Sequence, residues 1–286
     1  MHAIRSDAAF LSGLLLQRRP PEGEAQPLMP WLAPPAPPAV LALMRRVGRR
    51  RELRAGEFVF GPRDAFDSLV LLESGLGARA FGGLYNQRAA ALALTSPGRI
   101  IGGNHCFFSG MPGIGRYFAL TPATALYAER EALLAELRRD AALFEAFAAF
   151  LDRLIQSDRI GFGAIALLCA KDRLLMWALS WGLVYGDLMQ TPEGERLVMS
   201  PVLSANLLSH VVSANLSQTK RDIAALKRSG AFSRMGDALS VDAAMLDPVW
   251  DWLRNSEELT AKRKRPADWR PYCLAARRPF SPLPSA

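Results

Sequence analysis

A change of texture near residue 131 constrains the fold of this chain more than any other feature. From Leu53 to about Arg130, short apolar runs are separated by glycine and proline: "EFVFGPRD", "SLVLLESGLGARAF", "QRAAALALTSPGRIIGG" and "RYFALTPATALYAE". Runs of this length and punctuation suit the strands of an antiparallel β-barrel or sandwich. From Glu131 to Gly186 the glycines thin out, and alanine and leucine dominate. "REALLAELRRDAALFEAFAAFLDRLIQSDRIGFGAIALL" is long enough for one short helix and then one long one, and "AKDRLLMWALSWGLVYG" for another. The long segment carries Leu143, Phe147, Phe150, Leu151, Leu154 and Ile165 on a face too apolar to leave in water. Such a face can pack against the barrel or form a dimer helix, and the pattern leaves both open.

The flanks differ from this middle. "PWLAPPAPPAV" closes the first forty residues, and proline at this density favours an extended segment, read here as a leader and linker. The apolar run Phe10 to Leu16 is too short to span a bilayer, and nothing around it reads as a signal peptide. "LALMRRVGRRRELRAGE" suits a short basic helix leading into a strand. At the other end, "PVWDWLRNSEEL" suits a helix, and "AKRKRPADWRPYCLAARRPFSPLPSA" is basic and proline-rich, a tail expected to be mostly disordered.

Between these lies a compact unit, Leu203 to Leu246, preceded by "DLMQTPEGERLVMSP", read as a polar loop. Ser204 can cap a helix carrying Leu207, Leu208, Val211 and Val212. The turn "SAN" leads to a second helix, in which Leu216, Thr219, Ile223 and Leu226 fall on one arc at 100° per residue. Ser217, Arg221 and Arg228 fall on the opposite arc, with Lys220 at its edge and Asn215 at the cap position. "AFSRMGDALSVD" then reads as two strands around a Met-Gly-Asp turn. Helix, tight turn, helix, hairpin is the outline of a winged helix-turn-helix. A net charge of +8 suits a polyanionic partner without identifying one.

Enzyme chemistry finds little support. The histidines are His2, His105 and His210, with no metal-ligand spacing among them. Cys106, Cys169 and Cys273 form no CxxC pair, so no metal site is expected, and reduced cysteines suit the cytoplasm. "GMPGIG" lacks the setting and the lysine of a phosphate loop, and no nucleophile elbow occurs, so no catalytic residue is assigned.

The order of these parts, and the residues within them, resemble the cyclic-AMP-receptor and FNR-type (Crp/Fnr) transcription regulators over about Leu53 to Leu246. "GEFVFGPRDAFDSLVLLESGLGAR" is similar to the family's strand–turn pattern, with Gly56 and Gly61 at turns and Gly75 after the Glu-Ser pair. "SPGRIIGG" resembles the approach to its ligand cassette, and "LSANLLSHVVSANLSQTKRDIAALKRSGAFSRMGDALSVDAAML" its DNA-binding unit. The resemblance implies an α+β chain with a cyclic-nucleotide-binding-like β-roll (a double-stranded β-helix barrel), a long dimerisation helix and a C-terminal winged helix-turn-helix. The implied segments are a leader/linker at 1–40, a sensor barrel at 41–138, the dimerisation and following helices at 139–187, the winged helix-turn-helix at 188–247 and a tail at 248–286. Implied partners are double-stranded DNA with a palindromic site, a second copy of the chain and RNA polymerase, with no membrane.

Residue by residue, the resemblance puts Arg221 on the family's base-contacting arginine. Ser217 and Gln218 join it at base edges, and Lys220, Lys227 and Arg228 at phosphates. Ser217 replaces a glutamate, Leu216 an arginine and Ser213 the turn glycine, which implies a different half-site. Leu216 is left as either a thymine-methyl contact or core. The implied effector pocket comprises Gly103, Asn104, His105, Arg116, Tyr117, Asp158 and Arg159. Asn104 stands where a ribose-binding glutamate is needed, Ile114 or Gly113 stands where a phosphate-binding arginine is needed, with Arg116 two residues on as a substitute if the loop is shortened, and Arg159 is the expected partner of Asp158. A cyclic nucleotide is therefore not expected. Haem ligation or redox sensing through His105 and Cys106 is a further alternative, as is a regulator-like protein that binds a protein partner in place of DNA. Effector, target genes and direction of regulation are not legible.

Overall fold

The computed structural model describes residues 14–15, 27–60, 67–82, 89–104, 107–110, 115–200, 202–257 and 265–273. The chain is mixed α+β and divides into two compact units. One comprises Gln26–Ser180 and Ser204–Lys220, the other Met1–Ala25, Trp181–Leu203 and Arg221–Ala286. In chain order the elements are β1 (Leu14–Leu15), α1 (Pro38–Val47), β2 (Arg49–Leu53), β3 (Ser68–Ser74), β4 (Gly77–Gly82), β5 (Ala89–Thr95), β6 (Arg99–Gly102), β7 (Arg116–Ala119), β8 (Ala123–Glu129), α2 (Arg130–Leu137), α3 (Ala141–Leu167), α4 (Ala170–Tyr185), β9 (Gly186–Thr191), β10 (Gly194–Met199), α5 (Ala205–Val211), α6 (Leu216–Arg228), β11 (Phe232–Met235), β12 (Ala238–Asp242) and α7 (Asp247–Glu257).

The first unit contains the two sheets of the roll, β2-β8-β3-β6 and β5-β4-β7, antiparallel throughout. The four-stranded sheet is covered on both faces, which is why "SLVLL" reads as a continuous apolar run. Leu69 and Leu71 of β3, with Leu126 and Ala128 of β8, face the helices, where they join Leu43, Met44, Leu133, Phe147, Phe150 and Leu154. Val70 and Leu72, with Ala123 and Ala125, face the roll interior alongside Phe60, Ile101 and Tyr117. This alternation follows from the two-residue period of a strand. The exposed residues of β2 are Arg49, Arg50, Arg51 and Glu52, charges suited to an edge strand because they discourage further pairing.

α3 is 27 residues long. Asp140 caps it by accepting from Leu143 N at 3.0 Å. Its Phe147, Phe150, Leu151 and Leu154 pack on the barrel side, which answers one of the two readings of its apolar face. A second set on the same helix, Phe144, Ile155 and Phe162, is exposed. Steps of 11 and 7 residues bring these three to within about 20° of one another around the helix.

The proline-rich stretch is not the linker expected of it. It turns at Pro30–Trp31, and Met29, Pro30, Trp31, Leu32, Pro34 and Ala36 are buried. Prolines carry no N–H, so such a segment can be buried with few donors to satisfy. Several of its backbone groups have partners. Leu94 N donates to Trp31 O at 2.8 Å, Ala33 N to Leu94 O at 3.4 Å and Ala36 N to Gly98 O at 3.1 Å. Arg99 donates to Ala33 O, and Ser157 Oγ lies 2.7 Å from Met29 O and 3.0 Å from Leu32 O. Pro38 then opens α1, where a missing N–H costs nothing.

The second unit is built on the antiparallel sheet β1-β9-β10-β12-β11. "DLMQTPEGERLVMSP", read as a polar loop, forms the hairpin β9–β10, with Thr191 in register with Gly194. Leu188, Met189, Leu197 and Met199 are its buried apolar side chains. The tail expectation also fails for part of its length, because Trp269 and Tyr272 are buried. Trp269 Nε1 donates to Asp247 Oδ1 at 2.9 Å and Trp250 Nε1 to Pro266 O at 3.1 Å. Arg270 donates to Glu195 at 2.7 Å and to Asp247 and Asp268 at 3.0 Å each. Burial alone would lower its pKa, but the hydrogen bonds to these carboxylates outweigh that and raise it. No helix among the described residues is long and apolar enough to cross a membrane.

Candidate nucleic-acid interface and sensor site

The expected helix, turn and helix form as read. Ser204 Oγ accepts from Leu207 N at 3.2 Å and so caps α5. Leu208, Val211 and Val212 are buried. The turn places Ser213 at φ 49, the left-handed region that glycine enters at least cost. Its carbonyl accepts from Arg173 Nη1 at 3.2 Å, and Ala214 N donates back to Ser209 O at 2.9 Å. Asn215 Oδ1 then accepts from Gln218 N at 2.7 Å and caps α6.

On α6, Thr219 and Leu226 are fully buried, and Thr219 Oγ1 donates to Asn215 O at 3.0 Å. Ser217, Lys220, Arg221, Lys227 and Arg228 are exposed, while Gln218 and Ile223 are half-buried. Leu216 is 37% exposed. Lys227 and Arg228 close the helix, where cations also suit its dipole. The hairpin β11–β12 follows, with Gly236 at φ 59 in a two-residue turn between Met235 and Ala238. Arg196 of β10 braces it, donating to Ser240 Oγ at 2.6 Å, Ser233 Oγ at 3.0 Å and Gly230 O at 3.2 Å. Neither Arg196 nor the exposed Arg234 of β11 stands out from sequence. The signal available is the short apolar run "LVM" beside a Pro-Glu-Gly turn.

The described sensor residues sit in different surroundings. Gly103 lies at φ 86, and a Cβ there would come within 2.1 Å of Ser68 O, so only glycine fits. Asn104 is buried, and its Nδ2 has no hydrogen-bond partner among the described residues. Tyr117 is buried against Phe60 in an edge-on contact at 5.9 Å. Arg116 is exposed. His105 and Cys106 lie outside the described residues. Asp158 is paired, but with Arg79 of β4 in place of the expected Arg159, which is exposed. Both side chains of the pair are largely buried, and burial lowers the Arg79 pKa. Arg79 is in register with Tyr117 on β7 and Ala93 on β5, so the pair joins the three-stranded sheet to α3. Of the other cysteines, burial pushes the Cys273 thiol up to about 12, which suits an inert thiol.

No protein-family model matches the chain, and no curated protein matches its sequence. Solved structures do. A cysteine-to-serine variant of CprK in complex with OCPA matches with a TM-score of 0.56 and 15% identity, over 76% of this chain and 95% of that one. A mutant of CooA from Carboxydothermus hydrogenoformans gives 0.58 and 13%, over 73% and 89%. A CRP-family transcriptional regulator from Thermus thermophilus, TTHB099, gives 0.52 and 16%, over 69% and 95%. Likenesses at this level of identity concern the architecture, and on that ground the chain has the fold of the CRP/FNR-type regulators.

Proposed function

We propose that the chain is a non-enzymatic, sequence-specific DNA-binding transcription regulator that acts as a homodimer. The observation that carries this reading is α6. It is capped, it follows a second capped helix after a tight turn, and it exposes Ser217, Lys220 and Arg221 in its first turns while burying Thr219 and Leu226. Base contacts come from the first turns of a reading helix, and cations neutralise phosphates. Arg221 reads bases, with Ser217 and Gln218 beside it, and exposed Leu216 offers an apolar contact to a thymine methyl. Lys220, Lys227 and Arg228 supply phosphate contacts. The exposed stripe Phe144, Ile155 and Phe162 on α3 is the surface that a second copy covers.

The sensor site is re-purposed. Asn104 supplies an amide where a ribose-binding carboxylate is needed, Arg116 is exposed, and Asp158 is already occupied by Arg79. Calorimetric titration with a cyclic nucleotide is accordingly expected to show no binding.

The deciding experiment is selection of bound duplexes from a random pool with the purified chain. A palindromic motif is expected. Absence of any enriched sequence would overturn the reading and favour a role in binding a protein partner. On the best selected site, Arg221→Ala is expected to cost about 1–3 kcal/mol and to relax preference at one position of each half-site.

A further inference from the structure

The buried strap of residues 29–36 does more than cover the barrel. It runs along the open edge of β5, where Leu32 pairs with Leu94 in parallel, and it meets the middle of α3. Its contacts on α3 are Ser157 and Gly161, which flank Asp158 on that helix. On the barrel, Leu94 adjoins Ala93, which is in register with Arg79. The strap therefore lies beside the ion pair that ties the sheet to the helix. Gly161 faces the indole: a Cβ there would make ordinary contact, 3.5 Å from Trp31 Cδ1 and 3.6 Å from its Nε1.

Two features distinguish this segment from ordinary core. Trp31 is held at φ 60, a backbone conformation that bulky residues rarely adopt. Its indole N–H is buried and has no hydrogen-bond partner among the described residues. Both are costs, and they persist only because the surrounding contacts hold the segment in place.

We propose that residues 29–36 are a covalently attached occupant of the barrel's α3-facing side, holding α3 ordered in place of a diffusible effector. A helix ordered in advance does not pay its ordering entropy when DNA binds, so release of the strap lowers DNA affinity. This last step rests on the DNA-binding reading; the hold on α3 does not.

The test uses the full chain and hydrogen exchange read by mass spectrometry. In Trp31→Ala, exchange at the Ala36 and Leu94 amides is expected to rise at least tenfold, and exchange along Leu154–Ala164 of α3 with it. The β10–β12 amides stay unchanged and report an intact fold. Ser157→Ala, which removes one hydroxyl, should show the same pattern more weakly, while Gly161→Ala, an ordinary contact for Trp31, should leave it alone. A synthetic peptide of residues 27–37 should restore protection to Trp31→Ala, and its Trp-to-Ala counterpart should not. On the selected duplex, Trp31→Ala is expected to bind about tenfold more weakly. Unchanged exchange along α3 after the strap loosens would overturn the proposal, as would unchanged DNA affinity on a duplex that the wild type binds. If the wild type selects no duplex, the DNA-binding reading fails, and the exchange data alone decide whether the strap orders α3.

Discussion

At the scale of single residues, the pair Arg79–Asp158 shows where neighbours in sequence mislead. Asp158 needs a cation, and Arg159 is the nearest one along the chain. Successive helix positions lie about 100° apart, however, so a residue beside Asp158 cannot share its face. The partner comes from β4, far upstream of α3, and no local pattern points to it. With the two side chains only 10% and 15% exposed, solvent screens the pair little. Removing one partner leaves a buried charge unmatched, which typically costs about 3–5 kcal/mol, whereas replacing both with apolar groups is often neutral or stabilising. Asp158→Leu alone is therefore expected to destabilise the chain by about 3 kcal/mol or more in urea unfolding, and Arg79→Met with Asp158→Leu to recover most of that. A loss below about 1 kcal/mol for the single variant would mean that the pair is effectively solvated. Arg221 presents the opposite case: its exposure on α6 follows directly from the arc on which it falls.

At the scale of elements, legibility tracks how locally each element is specified. The helix starts at Ser204 and Asn215 are visible because a capping side chain sits within three residues of the amide that it accepts from. The turn at Gly236 is visible for the same reason. The hairpin β9–β10 escapes a reading of the sequence because its polar residues outnumber its apolar ones and its burial depends on β12. The strap escapes it because composition alone cannot distinguish a solvated proline segment from a buried one; the difference lies in Ser157, Arg99 and Leu94, far away in sequence. The turn between α5 and α6 supports a prediction at this scale. Ser213 holds a left-handed conformation that costs an L-residue about 1–2 kcal/mol, and glycine there gives back part of the gain through greater freedom in the unfolded chain. Ser213→Gly is expected to raise unfolding stability by about 0.5–1 kcal/mol, with the Arg173 contact to its carbonyl retained. A variant less stable than wild type would show that the serine hydroxyl contributes more than the strain costs.

At the scale of the whole chain, both proline-rich flanks are attached. The leader adds β1 to the edge of β9 and the strap to the edge of β5, each within its own unit. The tail docks through Trp269, Arg270 and Tyr272, so the chain is anchored on both sides of residues 258–264. The basic run of Lys262, Arg263 and Lys264 is a candidate for phosphate contacts, and a variant that probes it must spare this dock. Deleting residues 254–286 also removes the end of α7, the buried Trp269 and the cation that satisfies Glu195 and Asp247. Its expected result is loss of stability in the second unit by about 3 kcal/mol or more, which would obscure any effect on DNA. Substituting Lys262, Arg263 and Lys264 by glutamine leaves the dock intact. Each phosphate contact contributes about −0.9 to the slope of log K against log salt. If all three cations meet phosphates, the slope is expected to flatten by about 2–3, with sequence preference on the selected duplex unchanged because phosphate contacts carry no base information. An unchanged slope in the triple variant would remove this run from the interface and leave the +8 net charge to be explained by α6, Arg234 and the rest of the surface.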